Sequence, residues 1–316
     1  MWLHRLVQLC LLAGLSTVFV VSQGCAQRLL VEYPDDTPTR ADGRVASTAG
    51  SPKTFASPDA RAKAVAHANE QRATLLGQLK PPMATARRLT RGMITIDGKL
   101  DESAWQTAQV VTDFKNSKAV TPESETTRVR MAWDARYLYV AFECQDSDIV
   151  ATITERDGEL WREDCVEVFI DANGDGMSYV EYEVSPLGVF YDAALADYRP
   201  SIDWVKDLAH LDLQHSLECY TVRDSPMAVA VNGTLNDSSD TDSGYVVELA
   251  ISWADLARGT NASRLPPRDG DLMGVGLYRI NIRTKADPKT ADYAAWSPTK
   301  SWFHVPFLFG RVLFID

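Results

Sequence analysis

The chain has 316 residues, of which 45% are hydrophobic and 24% charged, with a formal net charge of −11 at pH 7. This composition is typical of a globular protein with a sizeable core, and the length allows one large domain or two small ones. The charge is uneven, because residues 1–90 carry 11 Lys/Arg and 6 Asp/Glu whereas the remainder carries 21 and 37. Since an acidic domain repels phosphate backbones, nucleic acid is not an expected partner.

The N-terminus has the pattern of an export signal. A short polar start precedes a mostly apolar run over residues 6–21, which is too short to span a bilayer comfortably. Cys25 then follows small residues in a relaxed lipobox, so we predict that it is lipidated and becomes the mature N-terminus. Cleavage after Ala26 without a lipid is the alternative. Residues 1–25 therefore predict an exported protein, lipid-anchored and facing the periplasm or exterior, or secreted, with a lipid anchor as its only membrane contact.

Residues 26–90 have the composition of a linker that contains a spacer helix. Small and polar residues dominate the first part of this segment. A helix is predicted over residues 57–79, because Ser57 is a suitable N-cap and Pro58 suits the first helical position. Pro81 lies just beyond the predicted end of this helix.

Cysteine usage gives little indication of chemistry. Only Cys144, Cys165 and Cys219 lie beyond the predicted signal peptide, so at most one internal disulfide can form. The spacing of Cys and His does not match a zinc motif.

From residue 91 onward the hydrophobic pattern alternates with a period of two, which is typical of strands. Turn-rich connections and the absence of βαβ alternation predict an all-β fold, an antiparallel β-sandwich of jelly-roll or immunoglobulin-like type, over residues 91–316. Ser252 is predicted to cap one helical turn. The predicted strands are Met93–Asp97, Arg128–Trp133, Tyr137–Cys144, Cys165–Asp171, Ser178–Ser185, Gly188–Ala193, Met227–Thr234, Gly244–Ser252, Leu272–Thr284 and Phe309–Ile315.

Several sequence motifs occur in order along this segment. They are ITIDGKLDESAW at 94–105, VRMAWDARYLYVAF at 129–142, WREDCVEVFID at 161–171, GYVVELAISW at 244–253, AWSP at 295–298 and FGRV at 309–312. The ordered set resembles the family 9 carbohydrate-binding modules. That resemblance implies a jelly-roll-like sandwich that binds the end of a glycan chain and has no catalytic activity.

The resemblance also implies site residues. By position, Trp161 and Trp296 match two tryptophans that sandwich a sugar ring, and Glu167 matches a carboxylate that bonds its hydroxyls. This chemistry is sound, because the C–H faces of a sugar pack on aromatic planes and its hydroxyls suit carboxylates. The chain departs from the family at Glu183, where the sugar-binding members carry an arginine.

Strand alternation places Glu167 relative to the core. Val166, Val168 and Ile170 share one face of their predicted strand, and the aliphatic face is expected to be the buried one. Glu167 is therefore expected on the concave or solvent side. Among the other tryptophans, we predict Trp105, Trp133 and Trp253 in the core, and Trp204 and Trp302 in loops that would extend a binding surface.

One loop offers a candidate metal site. Asp171, Asn173 and Asp175, with Gly176 next, copy the first half of an EF-hand calcium loop. Position 12 would be Tyr182 instead of a bidentate Glu, so a polar hairpin turn is the alternative. For a carbohydrate-binding module, structural calcium is the one cofactor that the sequence suggests.

Two further classes of function are open alternatives. A haem-binding or electron-transfer sandwich would need two axial ligands facing one pocket. A purely structural module of a surface complex would need none. Catalysis by a carboxylate pair, Asp164 with Glu167, has little support where acidic residues are abundant. The available haem ligands are Met131, Met177, His210, His215 and Met273.

Overall fold

The computed structural model describes residues 80–316, except 177, 196–219, 261, 263, 283–290 and 301, together with five helical positions between 70 and 78. Those five positions lie inside the predicted spacer helix, whereas the rest of that helix, the predicted signal peptide and Cys25 are outside the described residues. Trp204 and Cys219 are outside them too. No helix in the described part is long and apolar enough to cross a membrane.

Strands are the main regular secondary structure of the described chain. Two short α-helices are α1 (Ser103–Thr107) and α2 (Trp253–Gly259), and 3-10 turns occupy Leu160–Arg162 and Pro306–Leu308. The strands are β1 (Met83–Arg88), β2 (Val110–Val111), β3 (Lys115–Asn116), β4 (Thr127–Trp133), β5 (Tyr137–Cys144), β6 (Cys165–Asp171), β7 (Tyr179–Val184), β8 (Phe190–Leu195), β9 (Met227–Asn232), β10 (Gly244–Ser252), β11 (Leu272–Asn281), β12 (Asp292–Ala295) and β13 (Gly310–Ile315).

The strands form a curled sheet that folds into a sandwich, as the sequence predicts. Its order is β8-β7-β6-β11-β13-β1-β4-β5-β10-β9, with β12 beside β11 and β2 beside β4. One layer is built around β7, β6 and β11, and the other around β4, β5 and β10, with β13 and β1 joining them. Neighbouring strands are antiparallel except at β1, which runs parallel to both β13 and β4.

The main core lies between the two layers. As predicted, Val166, Val168 and Ile170 of β6 are buried there, where they belong to one cluster with Val140 and Phe142 of β5. The remaining positions of each strand point away from this core, because side chains alternate along a strand. Trp105, Trp133 and Trp253 are buried, as predicted.

The first strand of the domain lies earlier than the sequence indicates. The predicted linker 26–90 includes β1, which is an integral strand whose Ala84 and Ala86 are buried in the main core. Small residues give weak strand signals, because alanine is depleted in strands and has little hydrophobic contrast. The domain therefore includes Met83–Arg88.

The predicted strand Met93–Asp97 is wrong, because this segment is irregular in the structure. Its backbone donors bond carboxylates instead of a neighbouring strand. The Thr95 N–H donates to Oε1 of Glu102 at 2.9 Å, and the Asp97 N–H donates to Oε2 of the buried Glu248 at 3.0 Å. Side-chain carboxylates thus satisfy backbone donors in a segment that the alternating pattern assigned to a sheet.

The helical turn predicted after Ser252 is confirmed as α2. Oγ of Ser252 accepts from the N–H groups of Ala254 and Asp255, at 3.1 and 3.4 Å. These bonds satisfy two of the backbone donors that a helix N-terminus leaves free.

Candidate functional site

The side of β6 and β7 that faces away from the main core carries a cluster of acidic side chains. Glu167 of β6 lies directly opposite Glu183 of β7 on one side and opposite Tyr278 of β11 on the other. Cys165 and Glu181 share the same side, because each is two residues from a member of this row. We call this surface of β7, β6 and β11 the acidic face.

The carboxylates of the acidic face are buried, which differs from the solvent-facing position expected for Glu167. Glu167 and Glu183 are only 2% and 1% exposed. A second aromatic cluster, which includes Phe169, Tyr278 and Phe303, covers this side of the layer. Glu167 therefore lies on the predicted face, but beneath other side chains.

Burial controls the protonation of this cluster. It raises the pKa of Glu167 well above the usual value for a glutamate, and the neighbouring Glu181 raises it further. The pKa of Glu183 is raised in the same way, first by burial and then by Glu167 and Glu181. Sγ of Cys165 lies 3.9 Å from Oε1 of Glu167, and burial raises the pKa of its thiol. Cys165 and Cys144 are both buried free thiols.

Trp161 stands at one end of this row and is exposed, as expected. Its side chain is 38% exposed, and it lies on the 3-10 turn before β6. The ring meets Tyr191 of β8 edge-on, with centroids 5.5 Å apart. The Trp161 backbone N–H bonds the carboxylate of Glu183 and lowers its pKa against the effect of burial. The turn thus places an aromatic plane beside the acidic row.

Trp296 does not face the same side, which corrects the predicted tryptophan pair. It is buried in the main core between the layers, whereas the adjacent Ala295 faces the aromatic cluster over Glu167. The ring also fits closely over Gly310, where an added Cβ would lie 2.2 Å from a ring carbon. Trp296 follows the strand alternation of β12 into the core, so it is unavailable to a ligand on the acidic face.

Trp302 provides the second exposed aromatic of this side. It is 41% exposed and meets Tyr293 of β12 edge-on at 5.5 Å. Nζ of Lys118 lies 3.3 Å from the centroid of its ring, a cation–π contact. The next residue, Phe303, stacks on Tyr278 at 4.1 Å. The sequence predicted Trp302 in a loop that would extend a binding surface, and the structure places it, exposed, in the segment between β12 and β13.

Comparison with known proteins identifies the family of this domain. A model described as carbohydrate family 9 binding domain-like matches residues 96–316. The chain belongs to the carbohydrate family 9 binding domain-like family.

Relatives of this family-9-like chain include modules of much longer enzymes. It is 28% identical to the exoglucanase XynX of Acetivibrio thermocellus over 200 residues. The aligned segment covers 62% of this chain and 15% of that protein. It is 25% identical over 222 residues to the endo-1,4-beta-xylanase A of Thermoanaerobacterium saccharolyticum, covering 70% and 15%. The chain thus spans about a seventh of these relatives.

A solved structure shares the fold of the family-9-like domain. It is that of a putative carbohydrate-binding protein from Bacteroides uniformis, with a TM-score of 0.56 and 15% identity, covering 74% of this chain and 99% of that one. At this identity the likeness establishes the fold alone.

The predicted calcium loop of the family-9-like domain forms a hydrogen-bonded turn. Oδ1 and Oδ2 of Asp171 accept the N–H groups of Gly174 and Gly176, each at 2.8 Å. Nδ2 of Asn173 donates to Asp175 at 2.8 Å. Each oxygen of Asp171 accepts one backbone N–H, and these bonds account for the turn without an ion. Calcium binding stays a prediction, which a fall in melting temperature on adding chelator would support.

The described residues that the sequence offered for catalysis or haem binding hold the fold together. Asp164 accepts the N–H groups of Val150 and Ile282, both at 2.6 Å, so it joins a loop to the end of β11. Met131 and Met273, two candidate haem ligands, are buried in the main core. Met177, His210 and His215 are outside the described residues.

Proposed function

We propose that this chain binds carbohydrate on the acidic face, between Trp161 and Trp302. The observation that carries the proposal is that two part-exposed tryptophans flank one row of side chains, formed by Glu183, Glu167 and Tyr278. Aromatic planes pack against the C–H faces of a sugar, and carboxylates accept bonds from its hydroxyls. Family membership supports this function, and Trp302 takes the place that Trp296 had in the prediction.

The names of the relatives suggest the ligands to test. Because these are an exoglucanase and a xylanase, suitable probes are β-1,4-linked gluco- and xylo-oligosaccharides. Calorimetric titration of the full chain is expected to detect binding of at least one probe. Trp161→Ala and Trp302→Ala should each raise Kd about tenfold or more, since a stacking contact contributes on the order of 1 kcal/mol beyond buried area.

A matched control separates loss of the site from loss of the fold. Val110 is exposed on β2, away from the acidic face, and Val110→Ala should leave both affinity and melting temperature unchanged. Glu167→Gln should weaken binding if its carboxylate accepts a hydroxyl bond. Unchanged affinity in both tryptophan variants, each folded, would contradict this placement of the site.

The proposed activity is binding without cleavage. A glycosidase needs two carboxyl groups that flank the scissile bond in contact with substrate. The family model that matches this chain describes a binding domain, which supports binding without cleavage. Incubation with the same oligosaccharides should therefore release no new reducing ends, and release that depends on Glu167 would contradict this proposal.

We further propose that the protein is exported and anchored through a lipid on Cys25. The N-terminal sequence pattern supports this. The wild type should partition into the detergent phase of membrane extracts, and Cys25→Ser should move to the aqueous phase or remain unprocessed. Equal partitioning of the two proteins would contradict the anchor.

A further inference from the structure

The acidic face holds a compact group of potential metal ligands. One ligand atom each from Cys165, Glu167 and Glu183 lies within 4.8 Å of the other two, and the three residues are at most 2% exposed. Two adjacent strands fix this geometry, because Glu167 faces Glu183 across the β6–β7 ladder and Cys165 is two residues away on the same side. The group is therefore held by the sheet and does not depend on a loop.

The structure leaves this group electrostatically incomplete. Oε2 of Glu183 is buried and accepts no hydrogen bond from the described residues, and the side chain that contacts this carboxyl, Glu181, is itself acidic. No Lys or Arg of the described part forms an ion pair with Glu167 or Glu183, and Nε2 of His304 lies 4.0 Å from Oε1 of Glu181. A buried carboxylate oxygen without a partner is costly, so such groups are normally paired or coordinate a metal.

We propose that Cys165, Glu167 and Glu183 bind a divalent transition-metal ion, with Zn²⁺ as the best match. Zinc takes sulfur and carboxylate oxygen ligands in a tetrahedral arrangement, whereas calcium and magnesium take oxygen ligands. Three protein ligands leave one position for water. The proposal goes beyond carbohydrate binding and holds whether or not a sugar binds, because each carboxylate needs to give the metal only one oxygen.

Binding has a defined proton balance. The thiol of Cys165 must lose its proton to become a thiolate ligand, as must any protonated carboxyl of the pair. Because only the thiolate and carboxylate forms bind the ion, uptake by any protonated ligand releases a proton to solvent. Metal affinity should consequently fall as the pH is lowered.

Cobalt substitution tests the proposal without relying on sugar binding. Co²⁺ added to the reduced full chain should bind with one equivalent per chain and give a near-ultraviolet sulfur-to-metal charge-transfer band, which Zn²⁺ removes. Cys165→Ser should abolish the band. Glu183→Gln should weaken Co²⁺ binding at least tenfold, since even residues that only orient metal ligands contribute about 10–100-fold to affinity.

Cys144 provides the matched control. It is also a buried free thiol, but it lies on β5 in the other layer, so Cys144→Ser should retain the band. Melting curves in chelator should show that each variant is folded. The proposal is overturned if the folded wild type binds neither Co²⁺ nor Zn²⁺, or if the band survives Cys165→Ser.

A second ligand class is a possible result of the same experiment. Glucosamine carries an ammonium group that would also neutralise unpaired carboxylates. If glucosamine raises the melting temperature in a Glu183-dependent way while Zn²⁺ and Co²⁺ have no effect, the cluster binds an ammonium group and the metal proposal is wrong. Neutral oligosaccharides, titrated in chelator, test the carbohydrate site separately.

Discussion

Two tryptophans six residues apart have opposite roles in this chain. Trp296 is buried between the layers, and Trp302 is exposed beside the acidic face. The sequence shows that both are tryptophans, but the side of the layer that each one faces depends on the register of β12 and on the course of the segment after it. Alternation predicts such sides well inside a strand and poorly at its end.

The contact between Trp296 and Gly310 gives a prediction about stability. A Cβ at position 310 would lie 2.2 Å from Cζ3 of Trp296, so the ring would have to move. Gly310→Ala should lower the free energy of unfolding by about 1–3 kcal/mol, as overpacking does. Trp296→Leu removes the clashing ring. The double variant should therefore lose less free energy of unfolding than the sum of the losses in the two single variants. Purely additive losses in urea unfolding would contradict this explanation.

His304 gives a prediction about pH. Burial lowers its pKa from the usual 6.5 to about 4, and its ring bonds the hydroxyl of Tyr179 at 2.9 Å. The folded chain therefore binds fewer protons at this site than the unfolded chain between these pH values. It follows that the contribution of His304 to the free energy of unfolding is lost as the pH falls through that window.

The matched variant for this test is His304→Asn, which cannot titrate but can still bond Tyr179. Its free energy of unfolding, measured across the window and at neutral pH, should fall less on acidification than that of the wild type. Glu181 and the other nearby carboxylates titrate in both proteins, so the difference isolates the histidine. Parallel pH profiles would show that His304 does not titrate differently on folding.

At the scale of elements, hydrophobic alternation predicted the long strands and missed the short or weakly patterned ones. β6 and β10 carry alternating aliphatic residues and were predicted at their observed bounds. β1 was missed because its buried residues are alanines. Met93–Asp97 alternates as a strand does, but Glu102 and Glu248 satisfy part of its backbone. A side-chain acceptor distant in sequence is not visible to a periodicity argument.

β1 is predicted to be essential for the stability of the domain. It forms five register pairs with β13 and two with β4, so its removal exposes two strand edges. A chain that begins at residue 91 should be less stable than one that begins at residue 80, by on the order of 5 kcal/mol at about 1 kcal/mol per backbone hydrogen bond. Urea unfolding of the two chains measures the difference, and equal midpoints would contradict a structural role for β1.

At the scale of the whole molecule, the fold class followed from strand patterning and from the ordered motifs, whereas the connections between layers did not. Arg279 of β11 and Asp146 after β5 form a buried ion pair between the layers, with Nη2 and Oδ2 2.9 Å apart and both side chains 1% exposed. These residues are 133 positions apart. Sequence spacing over that distance carries no information about a contact, so this pair could not be predicted.

The ion pair gives a prediction through a double-mutant cycle. Arg279→Met should lower the free energy of unfolding by about 3–5 kcal/mol, because it leaves the carboxylate of Asp146 buried and unpaired. Asp146→Asn removes that charge, so the double variant should be more stable than Arg279→Met alone. Denaturant unfolding of the four proteins measures the coupling, and additive effects would show that the two groups do not interact.

The parallel pairing of β1 with β13 has a mechanical consequence. Met83 lies opposite Arg311 and Arg87 lies opposite Ile315, so the chain enters the domain at one end of this pair and leaves it at the other. A pull between the segment before β1 and the residue after β13 therefore acts along the two strands in opposite directions. Their hydrogen bonds are loaded in shear and must break together, whereas an antiparallel terminal hairpin would open one bond at a time. If the domain is held at its N-terminal side and pulled from its C-terminal side, the β1–β13 pair that closes the sandwich would therefore resist the extension.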